Sequence, residues 1–166
     1  MRHQKAVALT ALMALAIGTL SPAASIAAAK RAVTVKGTSS GTLSFDPATG
    51  ELRGDVSGKG SRLGKFKAKL RGSGGPEPDG TFAGSGTTTI RTAAGDRLRG
   101  KFTMSTSELA PDGHTAKVVI TITGGSGEFA GAHGKLIVIC VVGPPSQVEG
   151  LVVTTAECKW RGKLSY

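Results

Sequence analysis

Apolar and polar side chains alternate along most of the chain after residue 30, and this alternation predicts β-strands. The clearest example is the segment 65–71, in which Phe66, Ala68 and Leu70 share one face while basic side chains share the other. Similar segments recur at intervals of roughly 8–12 residues, separated by turns rich in Gly, Pro and Asp. No long segment after residue 30 has the period of an amphipathic helix. The pattern predicts an all-β protein, a barrel or a sandwich.

The alternation and the intervening turn residues predict eight or nine strands. Residues 72–80, GSGGPEPDG, are predicted to form a loop because they are so rich in Gly and Pro. Tight turns are predicted at 46–50 and 110–113. The predicted strands cover residues 30–36, 43–45, 51–57, 65–71, 81–91, 97–107, 115–123, 135–142 and 151–164.

The segment 121–142 shows how such strands are joined. An alternating strand leads into a glycine-rich turn that carries Phe129, and a strand that is apolar on both faces follows. The turn sequence GEFAGAHG at 127–134 is echoed by GTFAGSG at 80–86. Glycines inside strands mark bulges and tight bends, which help a sheet to close. We therefore expect a barrel corner that the chain uses at least twice.

Three predicted strands carry basic side chains at every second position. These side chains must point outwards, because burying unpaired charge is too costly. They form either a solvated face or a surface that binds polyanions. Nucleic acid is the less expected polyanion, since the five Phe, one Trp and one Tyr form no stacking platform between basic residues. The basic residues are Lys65, Lys67, Lys69 and Arg71; Arg97, Arg99 and Lys101; and Lys159, Arg161 and Lys163.

The strand 136–142 needs cover on its second face, because it is apolar at consecutive positions. Association of subunits would supply this cover, with Ile137, Ile139 and Val141 as the contact stripe. We therefore expect a homo-oligomer. The alternative is that the segment 30–41 of the same chain covers the stripe.

The N-terminus predicts an exported protein. A basic start, an apolar run at 6–20 and small residues at 27–29 are typical of a secretory signal peptide. The apolar run is shorter than the roughly 20 residues that a membrane span needs. The expected organisation is a signal peptide at 1–29 followed by one β-domain at 30–166. The chain has 21 Lys and Arg against 11 Asp and Glu, which favours polyanionic partners without specifying one.

Cys140 and Cys158 are the only cysteines, and they lie on the two arms of a predicted hairpin around residues 143–150. In an exported protein such a pair is expected to form a disulfide. A metal site is disfavoured, because His114 and His133 have no zinc-ligand spacing relative to these thiols.

The segment 121–136, TITGGSGEFAGAHGKL, resembles the turn of allene oxide cyclase and dirigent-protein barrels. That superfamily has a T-G-G-[ST]-G-x-F-x-G-x-x-G motif before a strand. The resemblance implies an eight-stranded antiparallel barrel, commonly trimeric, with an apolar cavity. The motif residues have a structural role in this interpretation, with glycines at the corner and Phe129 closing one end of the core. The matching motif positions are Gly124, Gly125, Gly127, Phe129, Gly131 and Gly134.

The catalytic chemistry of that superfamily does not transfer with the motif. The plant cyclase uses an acidic residue and a water held by asparagine, and this chain contains no asparagine. His133 is expected at the rim, and Glu51 and Asp55 are expected to point outwards. We assign no catalytic residue, no metal and no cofactor. The expected function is binding, either of a small apolar ligand in the cavity or of an envelope polyanion on the basic surface. The alternative is an isomerase or cyclase that acts on an apolar substrate inside the barrel.

Overall fold

A computed structural model describes residues 32–107 and 113–166, which form one antiparallel sheet closed into a barrel. The proposed signal peptide at 1–29 and most of the proposed turn at 110–113 lie outside the described residues. A 3-10 turn at Gly127–Phe129 precedes β7. The strands are β1 (Ala32–Phe45), β2 (Glu51–Gly60), β3 (Gly64–Pro76), β4 (Phe82–Thr92), β5 (Arg97–Thr106), β6 (His114–Ser126), β7 (His133–Val142), β8 (Ser146–Val148) and β9 (Leu151–Ser165).

Eight strands close the barrel and β8 lies outside it. Each strand from β1 to β6 pairs with the strand that follows it, β7 pairs with β9, and β9 pairs with β1 from Val152 to Ser165. The short β8 pairs with Leu151–Val153, where β9 extends beyond β7. The predicted all-β fold is therefore confirmed, and its form is an eight-stranded antiparallel barrel.

The core forms because alternate side chains of every barrel strand point inwards. Phe102, Leu98, Ile122, Leu164 and Val35 are among the side chains that are almost completely buried.

The two ends of the barrel differ, and we call them the plug end and the mouth end. The plug end carries the β2–β3, β4–β5 and β6–β7 connections and both ends of the described chain. The mouth end carries the β1–β2, β3–β4, β5–β6 and β7–β9 connections.

The plug end is closed by the glycine-rich corner that the sequence singles out. Phe129 is 1% exposed, and its ring meets the edge of the Tyr166 ring at a centroid distance of 5.0 Å. The Asp96 carboxylate of the β4–β5 turn accepts a hydrogen bond from the Glu128 N–H at 3.2 Å, which ties two connections together. Gly131 adopts a φ of 70°, in the left-handed region that favours glycine. Phe129 therefore fills the core at this end of the barrel.

The first strand is longer than its sequence suggests. Residues 37–42 were expected to separate two strands, whereas β1 runs without interruption from Ala32 to Phe45. Paired strands on both sides hold the segment extended, with β2 on one side and β9 on the other. The expectation that residues 30–41 could cover the apolar stripe is wrong for the part that is described, because this part is a strand of the barrel wall.

Two other predictions about glycine-rich segments are wrong. Residues 72–76 of the predicted loop belong to β3, because they pair with β4 from Gly72↔Gly86 to Pro76↔Phe82. The second predicted corner, at 80–86, is mostly the start of strand β4. Inter-strand hydrogen bonds hold these small residues extended, and such pairing is set by the neighbouring strand rather than by local composition.

Candidate functional site

The ten basic residues predicted from alternation all lie on the outer face of the barrel and are exposed. Their strands, β3, β5 and β9, are separated along the chain. In the closed sheet, however, the order β9-β1-β2-β3-β4-β5 places them on one continuous arc. We call the outer face of these six strands the basic wall.

Further basic residues fill the strands between the three predicted runs. Lys36 lies on β1, Lys59 on β2 and Arg91 on β4, and all three are exposed. Each stands on the outer face of an alternating strand, so its orientation could have been inferred from the sequence. The neighbours of each residue on adjacent strands could not be inferred from the sequence, because they depend on the register between strands that are far apart in the chain. The predicted site therefore lacked the residues that make it continuous.

The strand register places like charges side by side on the basic wall. Lys59 is directly opposite Lys65, and Arg91 lies between Lys67 on one side and Arg97 on the other. A similar pair on the wall joins Lys36 to Arg161, and Lys135 of the neighbouring strand β7 lies opposite Lys163. Like charges directly opposite each other in an antiparallel pair are destabilising. These basic side chains lie on the outer face, so packing inside the barrel does not account for their being directly opposite one another.

Acidic residues on the described part of the wall neutralise little of this charge. Asp55 lies 3.7 Å from Lys69, and Glu51 makes a 2.7 Å contact with Arg53 closer to the mouth end. Both carboxylates point outwards, as the sequence predicts. Glu157 lies on the outer face of β9 but makes no ion pair with a described residue. Exposed pairs of this kind contribute little to stability.

Other described acids lie at the mouth end. The β1–β2 turn contains Asp46, the β3–β4 turn contains Glu77 and Asp79, and Glu149 precedes β9. The described residues of these connections include no Lys or Arg. A hydrogen bond from the Thr49 hydroxyl lowers the pKa of Asp46. Its charge therefore persists to lower pH, and the barrel is acidic at one end and basic along much of its wall.

A cavity of about 220 Å³ lies just inside the mouth end. Its lining is mainly apolar and includes Leu43, Phe82, Met104 and Val152, and a smaller void of about 80 Å³ lies deeper in the barrel. His114 is the ionisable side chain among the described lining residues. The interior is therefore partly filled, with its larger space at the mouth.

The polar groups of this cavity are mostly engaged. The Thr106 hydroxyl accepts a hydrogen bond from the Phe82 N–H at 2.9 Å, and the Thr154 hydroxyl donates to the Gly143 carbonyl at 2.7 Å. His114 Nδ1 is shielded from solvent and has no hydrogen-bond partner in the structure. Burial lowers the pKa of His114, which favours the neutral ring. The mouth therefore offers an apolar space with an unpaired buried nitrogen, and neither feature can be identified from the sequence alone.

The predicted disulfide lies close to the mouth cavity. Cys140 and Cys158 are directly opposite on β7 and β9, with their Sγ atoms 2.07 Å apart. The disulfide bond is therefore confirmed.

His133 is exposed at the plug end and lies near the Gly131 carbonyl. This location agrees with the expected position at the rim.

The apolar stripe of β7 lies on the outer face, next to the basic wall. Ile139 is 49% exposed and Val141 is 67% exposed, while Ile137 is partly buried. No described element covers Ile139 or Val141. The stripe is therefore an exposed apolar surface, as the interface hypothesis requires.

The described residues include no group of three or more His, Cys, Asp or Glu side chains able to hold a metal ion. Among the same residues, no helix has the length and apolar character needed to cross a membrane. Comparisons with protein-family models, curated proteins and solved structures return no match. The likeness to cyclase and dirigent barrels therefore rests on the motif at 121–136 alone.

Proposed function

We propose that this chain is an exported, non-catalytic barrel that binds a polyanion through the basic wall. The observation that carries the proposal is the set of directly opposed like charges on adjacent strands, typified by Lys59 with Lys65 and by Arg91 with Arg97. An anionic partner would neutralise these repulsions and release its own counterions, so it would bind most tightly at low salt. An envelope polymer is the class of partner that an exported protein would meet.

The proposal is tested by measuring retention on an immobilised anionic polymer as salt is increased. The triple variant Lys65→Ser, Lys67→Ser, Lys69→Ser should elute at clearly lower salt than the wild type. The control variant Glu77→Ser, Asp79→Ser makes the net charge of the protein more positive, but only at the mouth end. Because it does not change the wall, its elution should be nearly the same as that of the wild type if the wall is the binding surface. Retention that follows net charge alone, or that survives the triple substitution, would contradict the proposal.

The mouth cavity supports a second candidate function, the binding of a small apolar ligand. A space of about 220 Å³ with mainly apolar walls can hold a small aromatic molecule, since an apolar cavity of roughly 150 Å³ binds benzene. The unpaired Nδ1 of His114 could accept a hydrogen bond from such a ligand. An enzyme of the isomerase or cyclase class would use the same cavity. We favour binding, because His114 alone among the described lining residues is ionisable.

The cavity function is tested by calorimetric titration with neutral aromatic molecules such as indole. Val152 lines the cavity, while Val153 is its outward-facing neighbour on β9. Val152→Trp should fill the space and abolish binding, and Val153→Trp should leave it intact. Equal binding by both variants would show that the ligand lies elsewhere.

We also propose that the apolar stripe of β7 mediates self-association, with a trimer as the favoured state. Burying Ile139 and Val141 against a second copy would remove exposed apolar surface from water. Native mass spectrometry should show an oligomer for the wild type and a monomer for Ile139→Lys. Thr103→Lys, on the outer face of β5, is the matched control and should remain oligomeric. A monomeric wild type would contradict this proposal.

A further inference from the structure

The basic wall contains an open groove whose floor is formed by β1 and β2. Thr38, Ser40 and Ser57 form the floor. Lys65 and Lys67 of β3 lie on one side, and Lys159 of β9 lies on the other, where the groove borders the apolar stripe residues Ile139 and Val141. The groove thus joins two of the basic runs through a floor of small hydroxyl side chains.

Glycines on the inner face of β1 and β2 allow the backbone of these strands to lie close to the barrel interior at the groove. Gly37 of β1 and Gly60 of β2 both face inwards against the Trp160 ring, and a Cβ at either position would collide with that ring. Gly58 is similarly close to the Phe66 ring. The absence of a side chain at these three glycines lets the backbone of β1 and β2 rest directly on two aromatic rings there.

The floor hydroxyls are free to bind a ligand. Thr38, Ser40 and Ser57 are exposed, and none of their hydroxyls makes a hydrogen bond to another described residue. Ser40 is directly opposite Ser57, and Thr38 is directly opposite Lys59. The floor therefore pairs one hydroxyl with another and a second hydroxyl with an ammonium group, on strands whose backbones lie roughly 5 Å apart.

We propose that this groove binds a linear phosphate polymer. The inference rests on the proposed function, since it assigns the polyanion a site and a chemistry. Lysine binds phosphate as a compact point charge, and the planar fork of arginine binds both carboxylate and phosphate. Lysines supply most of the positive charge around the groove, with Arg91 as the arginine. Phosphate also offers several oxygens at once to neighbouring hydroxyl and ammonium donors.

The groove does not have the features expected of a nucleic-acid site. Its neighbouring aromatic rings, Phe66 and Trp160, are buried and face inwards, so they offer no stacking surface for bases. Glu157 is the one carboxylate among the described lining residues and lies next to Ser40 on β9. The polymer should therefore lie towards Lys59 and Lys65, away from Glu157.

The site is tested by measuring the affinity for long-chain inorganic polyphosphate with three variants. Lys59→Ser, Lys65→Ser removes two charges from the groove, and Arg99→Ser, Lys101→Ser removes two from β5, outside it. Thr38→Val, Ser40→Ala, Ser57→Ala removes the hydroxyls and leaves the charge unchanged. We expect the groove charge variant and the hydroxyl variant each to weaken binding about tenfold, and the β5 variant less than about threefold. Unchanged melting temperatures would establish that all three variants fold.

The results of these measurements distinguish binding in the groove from binding by the basic wall as a whole. Equal losses in the two charge variants, with none in the hydroxyl variant, would overturn the groove and leave binding by the basic wall intact. No loss in any variant would overturn both. Polyglutamate of matched charge and length is the second probe, and tighter binding of polyglutamate than of polyphosphate would overturn the choice of phosphate.

Discussion

The two ends of the barrel are built from the same strands but differ in packing and charge. At the plug end, Phe129, Leu164 and Ala132 are almost completely buried, and the corner is tied to a neighbouring turn through Asp96. At the mouth end, Phe45 and Phe82 remain partly exposed around a cavity, and the connections carry acidic residues. The comparison indicates that the plug end contributes packing stability, while the mouth end retains space.

The difference follows from the connections rather than from the strands. The plug-end corner supplies Phe129 as an inward side chain from outside any strand, so the barrel is filled there. The described mouth-end connections supply mainly polar and turn-forming residues, and Pro145 borders the cavity without filling it. A barrel of eight strands has an interior just large enough for side chains to fill or for one small ligand. The two ends therefore differ in burial, because Phe129 fills the plug end whereas Phe45 and Phe82 border the cavity at the mouth end.

The largest expected effect compares two phenylalanines, one from each end. Each ring meets an aromatic edge at 5.0 Å, Phe129 with Tyr166 and Phe82 with Phe45. Phe129→Ala should lower the free energy of unfolding by about 3–5 kcal/mol, as expected for a fully buried ring. Phe82→Ala should cost about half as much, because its ring is partly exposed and borders an existing cavity.

Denaturant unfolding measures both changes, with the m-value showing whether the transition stays two-state. If Phe129→Ala does not fold, Phe129→Leu provides a smaller step in the same direction. Equal losses for Phe129→Ala and Phe82→Ala would contradict the assignment of stability to the plug end.

The disulfide should have the next largest effect, and it should act mainly on the mouth end. Cys140 is two residues from the mouth-end terminus of β7, and the bond closes a chain segment with a sequence separation of 18. Its removal in Cys140→Ala, Cys158→Ala should lower stability by about 3 kcal/mol in the chain-entropy model. Amide hydrogen exchange should rise near β8 more than at the corner around Phe129. A uniform rise along the barrel would contradict this local effect.

The smallest effect concerns His114 at the mouth. Burial lowers its pKa, so the unfolded chain binds the proton more readily than the folded chain does. Stability contributed by the neutral ring is therefore present above the ordinary pKa of about 6.5 and is lost as pH falls below it. Between pH 7.5 and 5.5, the wild type should lose more stability than His114→Gln. Identical losses in the two proteins would show that the ring is not the group responsible.

The acids at the mouth end do not interfere with that measurement. Hydrogen bonds from Thr49 to Asp46 and from Thr81 to Asp79 lower the pKa of each carboxyl. Their contribution is present above the ordinary carboxyl pKa of about 4 and is lost only below it. The two pH windows are therefore separate.

The sequence predicted the fold and the direction of side chains well where alternation was strong. In β3, the positions of Phe66 and Lys67 follow directly from a period of two, and both face as expected. The pairing of Cys140 with Cys158 also followed, because a short hairpin joins their strands. These features are local, and local patterns are visible in a single sequence.

The predictions were wrong or incomplete for features that depend on pairing between strands that are far apart in the sequence. Residues 72–76 look like a loop but are extended, because β4 supplies hydrogen bonds that composition does not reveal. The neighbours of Lys59 and Arg91 depend on register between strands. The mouth cavity depends on the difference in volume between many side chains from separate strands. None of these features is encoded within one short window of the chain.

The packing of Trp160 against Gly37 and Gly60 has an optical consequence. Trp160 is the one tryptophan in the chain, and its ring packs beneath Gly37 and Gly60, next to Thr38 and Lys59 of the groove. A single layer of backbone therefore separates this natural fluorophore from the proposed polymer. The emission of the unlabelled protein should respond to events in the groove, while the mouth cavity at the far end of the barrel should leave it largely unaffected.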